Sequence, residues 1–190
     1  LEIAMLSLGI GKGDEVITVS HTAVATISAI ENTGAEAVLV DIEEHHFTLD
    51  TGFLSQAISK KTKAIVLVHL YGQSGNVEEV QSFCKKNNLL LIEDVAQAHG
   101  ASYKEKKLGS FGQIGCFSCY PTKNLGAIGD GGLIVTNDES LYKSMRRIRE
   151  YGWEDRRSIV KGRNSRLDEI QAAILRVKLK YLDSDNRSRQ

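Results

Sequence analysis

The sequence predicts an α/β fold, a mostly parallel sheet with helices on both faces. Runs such as Ala64-Ile65-Val66-Leu67-Val68 and Leu89-Leu90-Leu91-Ile92 are apolar without alternation, the pattern of strands covered on both sides. Helix-length segments separate these runs and no hairpin signal joins them, as βαβ connections require. The 190 residues, 42% apolar and 25% charged, suit one globular domain with a real core.

Taken in order, Leu1, Ile3, Met5, Leu6 and Leu8 read as a buried helix segment, which Gly9-Ile10-Gly11-Lys12-Gly13 ends. Glu15–Val19 is a strand, Thr22–Thr33 a helix closed by Gly34, and Ala37–Val40 a short buried strand ending at Asp41. Phe53–Ile58 suits a helix before the strand at Ala64–Val68. Asn76 is placed to cap a helix running to about Asn87, and Leu89–Ile92 is the next strand. From Asp94 to Gly132 regular periodicity stops, apart from short strands near Ile114–Ser118 and Leu133–Thr136. Seven of the 17 glycines lie between Gly109 and Gly132. A long glycine-rich stretch inside a domain is more often functional than idle. Ser140–Tyr151 is helical, and Leu167, Ile170, Ile174, Val177 and Tyr181 recur at helical spacing, predicting one long helix with an apolar stripe over about 165–190.

Lys and Arg total 24, as do Asp and Glu, but they are unevenly spread. Residues 1–142 hold 10 basic and 17 acidic side chains, whereas every arginine, from Arg146 to Arg189, lies beyond them. A basic segment suits either a phosphorylated ligand or a solvated helix face paired with the acidic part. No zinc-finger spacing, aromatic-rich RNA signature or DNA-reading helix-turn-helix accompanies it, so nucleic acid is not the expected partner. No apolar run approaches the ~20 residues of a membrane span. Three cysteines do not make a disulfide scaffold, which predicts a reducing, cytoplasmic location.

Several candidate motifs carry little. Gly9-x-Gly11-x-Gly13 runs from helix to strand, the reverse of a phosphate loop. Cys116-x-x-Cys119 has no second pair to complete a zinc site, and its two side chains point to opposite faces of a strand. His45 and His46 diverge and suit a surface turn, so no metal site is predicted. Asp94 is different: it ends a buried strand, where open α/β sheets place ligands, although a turn-capping role would also suit it. Lys123 sits among small residues, aromatics and hydroxyls, two positions after the only proline. That proline fixes local backbone and favours a preorganised lysine over a merely solvated one. A carboxylate at a strand end, a held lysine and nearby hydroxyls together suit pyridoxal phosphate. This cofactor needs an amine for a Schiff base, an acid beside its ring nitrogen and donors for its phosphate.

Longer motifs agree in order: Val68-His69-Leu70-Tyr71-Gly72-Gln73, Glu93-Asp94-Val95-Ala96-Gln97-Ala98-His99-Gly100-Ala101, Tyr120-Pro121-Thr122-Lys123-Asn124-Leu125-Gly126, Gly129-Asp130-Gly131-Gly132 and Gly162-Arg163-Asn164-Ser165-Arg166-Leu167-Asp168. With them the chain resembles the DegT/DnrJ/StrS sugar aminotransferases, which are fold-type-I pyridoxal-phosphate enzymes. The resemblance implies that Lys123 forms the Schiff base and shuttles the proton, and that Asp94 partners the ring nitrogen. It places Gln97 near the ring oxygen, Ala96 on one ring face and Ser118 at the phosphate. Asn164 would reach the phosphate of a neighbouring subunit, making a homodimer with shared sites.

The implied reaction moves an amino group, with glutamate as donor, to the keto sugar of a nucleotide-linked sugar, and Arg163 and Arg166 are candidates to hold its diphosphate. An aminocyclitol or aminodehydroquinate-type enzyme and a non-catalytic regulatory or binding relative are the alternatives. A dinucleotide oxidoreductase is disfavoured, because no strand leads into G-x-G-x-x-G. Thr22-Ala23 stands where relatives carry a ring-stacking aromatic, with His21 as the substitute candidate. The resemblance further implies that residues 1–190 are one pyridoxal-phosphate-binding large domain truncated at both ends. A phosphate-binding Gly-Thr turn would precede it, and its last helix would lead towards a small C-terminal domain.

Overall fold

The computed structural model describes residues 1–189. Its first half alternates as expected: α1 (Glu2–Ser7), β1 (Glu15–Val19), α2 (Val24–Glu31), β2 (Glu36–Val40), the single-turn α3 (Leu54–Ala57), β3 (Thr62–Val68), α4 (Val77–Asn87) and β4 (Leu90–Asp94). There follow β5 (Ser102–Tyr103), β6 (Lys106–Lys107), β7 (Ile114–Ser118), β8 (Gly132–Val135), α5 (Glu139–Ile148), β9 (Trp153–Glu154), β10 (Arg157–Ser158), α6 (Glu169–Leu179) and α7 (Leu182–Arg187). The main sheet has the order β2-β1-β3-β4-β7-β8, parallel except for β8. Among the described residues no helix is long and apolar enough to cross a membrane.

Local chemistry accounts for the element ends. Helix α4 carries Glu78 and Glu79 in its first turn and Lys85 and Lys86 in its last, matching the helix dipole, and stops at Asn88 in the left-handed conformation. Asn76 precedes it but makes no side-chain cap bond. Helix α5 begins one residue earlier than its pattern suggested because Asp138 caps it, accepting from the Ser140 and Leu141 amides at 2.7 and 3.1 Å. It ends at Ile148 rather than Tyr151.

Three features depart from the sequence expectation. Two tight hairpins exist, β5-β6 and β9-β10, their turns carried by Lys104-Glu105 and Asp155-Arg156, all at positive φ. These dipeptides lack the glycine that usually marks such turns, so no signal announced them. The expected long final helix is broken between Leu179 and Leu182 into α6 and α7. The apolar stripe divides: Ile170, Val177 and Tyr181 are 64, 59 and 59% exposed, Ile174 is half-buried, and Leu167 packs against the buried cluster that holds Leu175 and Leu182.

Side chains alternate across a strand, and β4 uses this to separate two adjacent acids. Asp94 turns towards α2, whose Thr26 bonds it. Glu93 turns to the other face, where the α4 side chain Gln81 holds the Phe111 carbonyl at 2.6 Å. Glu93 is fully buried and accepts four hydrogen bonds. They come from His69 Nε2 at 3.0 Å and from the amides of Gly109, Phe111 and Gly112 at 2.7, 2.6 and 2.7 Å. His69 Nδ1 in turn accepts from the Gly75 amide at 3.1 Å, which directs its Nε2–H at the carboxylate. Burial alone would raise the Glu93 carboxyl, but the bonds from His69 and the Gly112 and Gly109 amides outweigh it and hold the group below its ordinary range.

A carboxylate with a depressed folded pKa contributes stability that is complete above its unfolded value and is lost as pH falls through the folded one. The wild type is therefore expected to lose stability progressively below about pH 4.3. Glu93→Gln should remove this component and cost about 1–3 kcal/mol at neutral pH. Urea unfolding at pH 7 and at acid pH checks both, and an unaltered pH slope in Glu93→Gln would refute the assignment.

Candidate active site

In the sheet, β2 lies on one side of β1 and β3 on the other, so the chain changes direction between β1 and β3. A crevice opens at such a point beyond the carboxyl ends of the strands. Four expected site positions lie along this edge: His21 after β1, Asp94 ending β4, Gln97 just beyond it and Ser118 ending β7. Asp94 is 5% exposed. Its Oδ2 accepts from Thr26 Oγ1 at 2.9 Å, and its Oδ1 from the Ala96 amide at 3.1 Å. The Thr26 hydroxyl also meets that of Thr22, one helical turn earlier, at 2.9 Å. Each Asp94 oxygen thus has one donor and retains acceptor capacity.

Tyr71, which the sequence did not single out, closes the β3 side. It sits at φ 55°, and its amide donates to Gln97 Oε1 at 3.2 Å. Its hydroxyl meets His21 Nε2 at 3.0 Å, linking the rims of β1 and β3 next to Ala23. Left-handed backbone at a tyrosine is uncommon, and was the one trait no sequence pattern could have shown.

Lys123 is half-buried and closes a turn, its amide bonding the Tyr120 carbonyl at 2.9 Å. Pro121 takes the second position of that turn, which its fixed φ favours. Beyond the turn the chain folds back on β7. The Cys119 amide bonds the Gly131 carbonyl and the Ala127 amide bonds the Cys119 carbonyl, both at 2.8 Å. Gly126 makes this possible: a Cβ there would lie 2.4 Å from the Pro121 carbonyl oxygen. Lys123 and Asn124 line an open cavity of about 720 Å³ with Tyr71, Gln97, Lys107 and Arg187.

His99 lines the same cavity, 3% exposed, with its ring tilted against Phe117 at 5.6 Å. Burial lowers its pKa; a poorly aligned approach of the Ser118 backbone offsets part of this, and the Lys123 charge adds to the fall. Neither ring nitrogen has a partner of good hydrogen-bond geometry.

Ala96 and Ser118 also lie by this edge, whereas Asn164 does not. Ala96 is half-buried beside Asp94, and Ser118 Oγ accepts from the Tyr120 amide at 3.3 Å. Asn164 is exposed, pairs by a bridge with Glu150 and accepts from Arg166 Nε at 3.1 Å. It does not line the Lys123 cavity. Arg163 and Arg166 line a separate cavity of about 760 Å³ with Arg146 and Arg149, and Arg163 pairs with Glu2. The arginines at the Lys123 cavity are Arg187 and Arg189. Cys116 and Cys119 are buried free thiols, and burial raises the pKa of both.

Gly126→Ala sets backbone against backbone, so it should cost about 1–3 kcal/mol and speed amide exchange at Lys123 and Ala127. Urea unfolding with hydrogen-exchange mass spectrometry checks this, and an unchanged midpoint and unchanged exchange would contradict it.

Known proteins share this arrangement of elements. A curated transaminase from Streptomyces venezuelae, named for dTDP-3-amino-3,4,6-trideoxy-α-D-glucose, is 46% identical over 187 residues, covering 98% of this chain and 49% of its own length. The crystal structure of S. venezuelae DesV in complex with a ketimine intermediate superposes with a TM-score of 0.93 at 45% identity, over 96% of this chain and 50% of that one. That of NtdA from Bacillus subtilis with bound cofactor PMP gives 0.90 at 33% identity, over 96% of this chain and 42% of that one. The chain thus spans about half the length of these relatives. The profile of the DegT/DnrJ/EryC1/StrS aminotransferase family matches residues 1–190, and the chain belongs to that family.

Proposed function

We propose that this chain is the cofactor-binding part of a pyridoxal-phosphate aminotransferase that aminates a keto sugar carried on a nucleotide, with an amino acid such as glutamate as donor. The observation that carries the reading is a buried Asp94 that keeps acceptor capacity at the carboxyl end of β4, with a half-buried Lys123 in the loop that follows the neighbouring strand β7, in a chain of this family.

The donor set suits the cofactor: Asp94 keeps acceptor capacity for a ring N–H, and the Ser118 hydroxyl remains a donor for phosphate. Gln97, held by the Tyr71 amide, and Ala96 lie on the same turn. When bound, pyridoxal phosphate supplies a carbonyl that accepts amines and a ring that takes up electrons from the neighbouring carbon. Asp94, oriented by Thr26 and the Ala96 amide, holds negative charge where a protonated ring nitrogen would sit. Lys123 holds the cofactor through Nζ and, when released, is the base that moves a proton at the reacting carbon. The His21-Tyr71 pair is the candidate cover for the ring face beside Ala23.

Lys107, Arg187 and Arg189 give the cavity a basic wall that suits a diphosphate, and guanidinium groups bind phosphate bidentately. Asn164 and the outward stripe of Ile170, Val177 and Tyr181 suit contact with a second copy, with Asn164 reaching that copy's phosphate site. These readings make the protein a homodimer with shared sites, and its free thiols suit the reducing cytoplasm.

Borohydride reduction of the protein with pyridoxal phosphate should fix the cofactor on the Lys123 peptide, and Lys123→Ala should abolish that label. Peptide mass spectrometry decides it, and a label elsewhere or none would overturn the reading. Assayed against a panel of keto-sugar nucleotides, Arg187→Ala with Arg189→Ala should raise KM about 10–100-fold with kcat little changed. Unchanged kinetics would remove these arginines from the binding site.

A further inference from the structure

Asn186 lies on α7, far in sequence from both parts of the candidate site, yet its side-chain amide bonds to both. Nδ2 donates to the His99 carbonyl at 2.7 Å, and Oδ1 accepts from Asn124 Nδ2 at 2.7 Å. His99 belongs to the turn that carries Ala96 and Gln97 after Asp94, and Asn124 directly follows Lys123. One amide group therefore joins the two segments whose side chains must meet across the cavity.

The surroundings fit this bridge closely. At Gly100, φ is +81° and a Cβ would stand 3.0 Å from Asn186 Nδ2, so the turn offers α7 a seat without a side chain. Leu182, one turn before Asn186, packs in a buried cluster with Leu125, Ala127 and Leu175. Helix α6 adds two polar contacts to the same loop: Lys178 Nζ donates to the Gly126 carbonyl, and Gln171 Oε1 accepts from the Ile128 amide at 3.0 Å. The loop after Lys123 is thus gripped at alternate residues, by polar contacts at Asn124, Gly126 and Ile128 and by apolar packing at Leu125 and Ala127. Among the described residues, Asn186 is the one of these grips that also hydrogen-bonds the turn after Asp94, where Leu182 packs against Gly100. The amide side chain serves both bonds at once, offering its donor from Nδ2 and its acceptor from Oδ1.

We propose that Asn186 is a positioning residue that staples the Lys123 loop to the turn following Asp94 and so sets the register between the lysine and the carboxylate. It deepens, and rests on, the reading of Lys123 as the cofactor lysine. Asn186 lines the same cavity as Lys123 and acts through its bonds to the His99 carbonyl and to Asn124.

The test compares Asn186→Ala, Asn186→Asp, Asn124→Ala and the Asn124→Ala/Asn186→Ala double variant in the full-length protein. Two readouts on the cofactor-free form are independent of turnover: amide hydrogen exchange, and the rate of reductive methylation of Lys123 Nζ as a function of pH. Asn186→Ala removes both bonds and is expected to speed exchange at Lys123 and Ala127 about tenfold, as the loop loses its bond from Asn124, and to shift the pH profile of Lys123 labelling. Exchange in β3 should not change. Asn186→Asp keeps the acceptor for Asn124 and should restore part of the loop protection. The double variant should add little to Asn186→Ala, because the two side chains share one bond.

A uniform rise in exchange through β3 and the loop would reduce Asn186 to general stability and overturn the proposal. So would a folded Asn186→Ala with unchanged exchange and labelling at Lys123, or additive effects in the double variant. The borohydride label keeps the two readings apart. If Lys123 takes no label in the wild type while the loop loosens as expected, the cofactor reading falls and the staple stands. If the label is normal and the loop unaffected, the staple falls alone.

Discussion

The buried carboxylate of Glu93 is the interaction on which the rest of the structure depends. An isolated charge in a fully enclosed position is unfavourable by several kcal/mol, and it persists only where hydrogen bonds replace the lost water. Here the replacement is complete: His69 from the end of β3 and three amides of one loop, those of Gly109, Phe111 and Gly112, converge on two oxygens. The same bonds that satisfy the charge fold the Gly109–Gly112 loop against β4. That loop delivers the chain into β7, whose pairing with β4 sets Asp94 beside Cys116. The anchor for the loop and the candidate ring partner are thus neighbours on one strand, with opposite faces.

On the Asp94 face the ordering passes through helices instead of a loop. Thr26 of α2 orients the carboxylate, α1 packs on α2 and α5, and α6 and α7 close over the segment after Lys123. The candidate site is consequently assembled from segments that each have an independent support. Loops carry the reactive side chains, as is common, but little of their geometry is left to the loops themselves.

The strands β1, β3 and β4 were legible because continuous apolar runs between helical segments have few other solutions, and β1 and β7 have the bounds their patterns suggest. Asp94 and Lys123 were legible as candidates, one from its place at a strand end and the other from its proline turn. Thr26 and Asn186 were not, since each looks like an ordinary polar residue on a helix until tertiary structure supplies its partner. The hairpins at Lys104-Glu105 and Asp155-Arg156 were hidden because their turns use residues that only context pushes to positive φ. The facing of the final helix was not legible: periodicity reveals that a stripe exists, but not whether core or solvent lies against it. The late arginines were legible as a cluster, yet their division between two cavities depended on where the chain turned after α5.

The adjacency of Glu93 and Asp94 bears on how this chain can fail. A slip of β4 by a single residue would exchange the faces of all its side chains. A slip that carried Glu93 to the Thr26 hydroxyl would bring Ile92 to face His69 and the loop amides, with no carboxylate to accept their bonds. The same error that misplaces the ring partner would unseat the loop that holds the sheet together. Folding fidelity and site geometry thus rest on the same register of one strand.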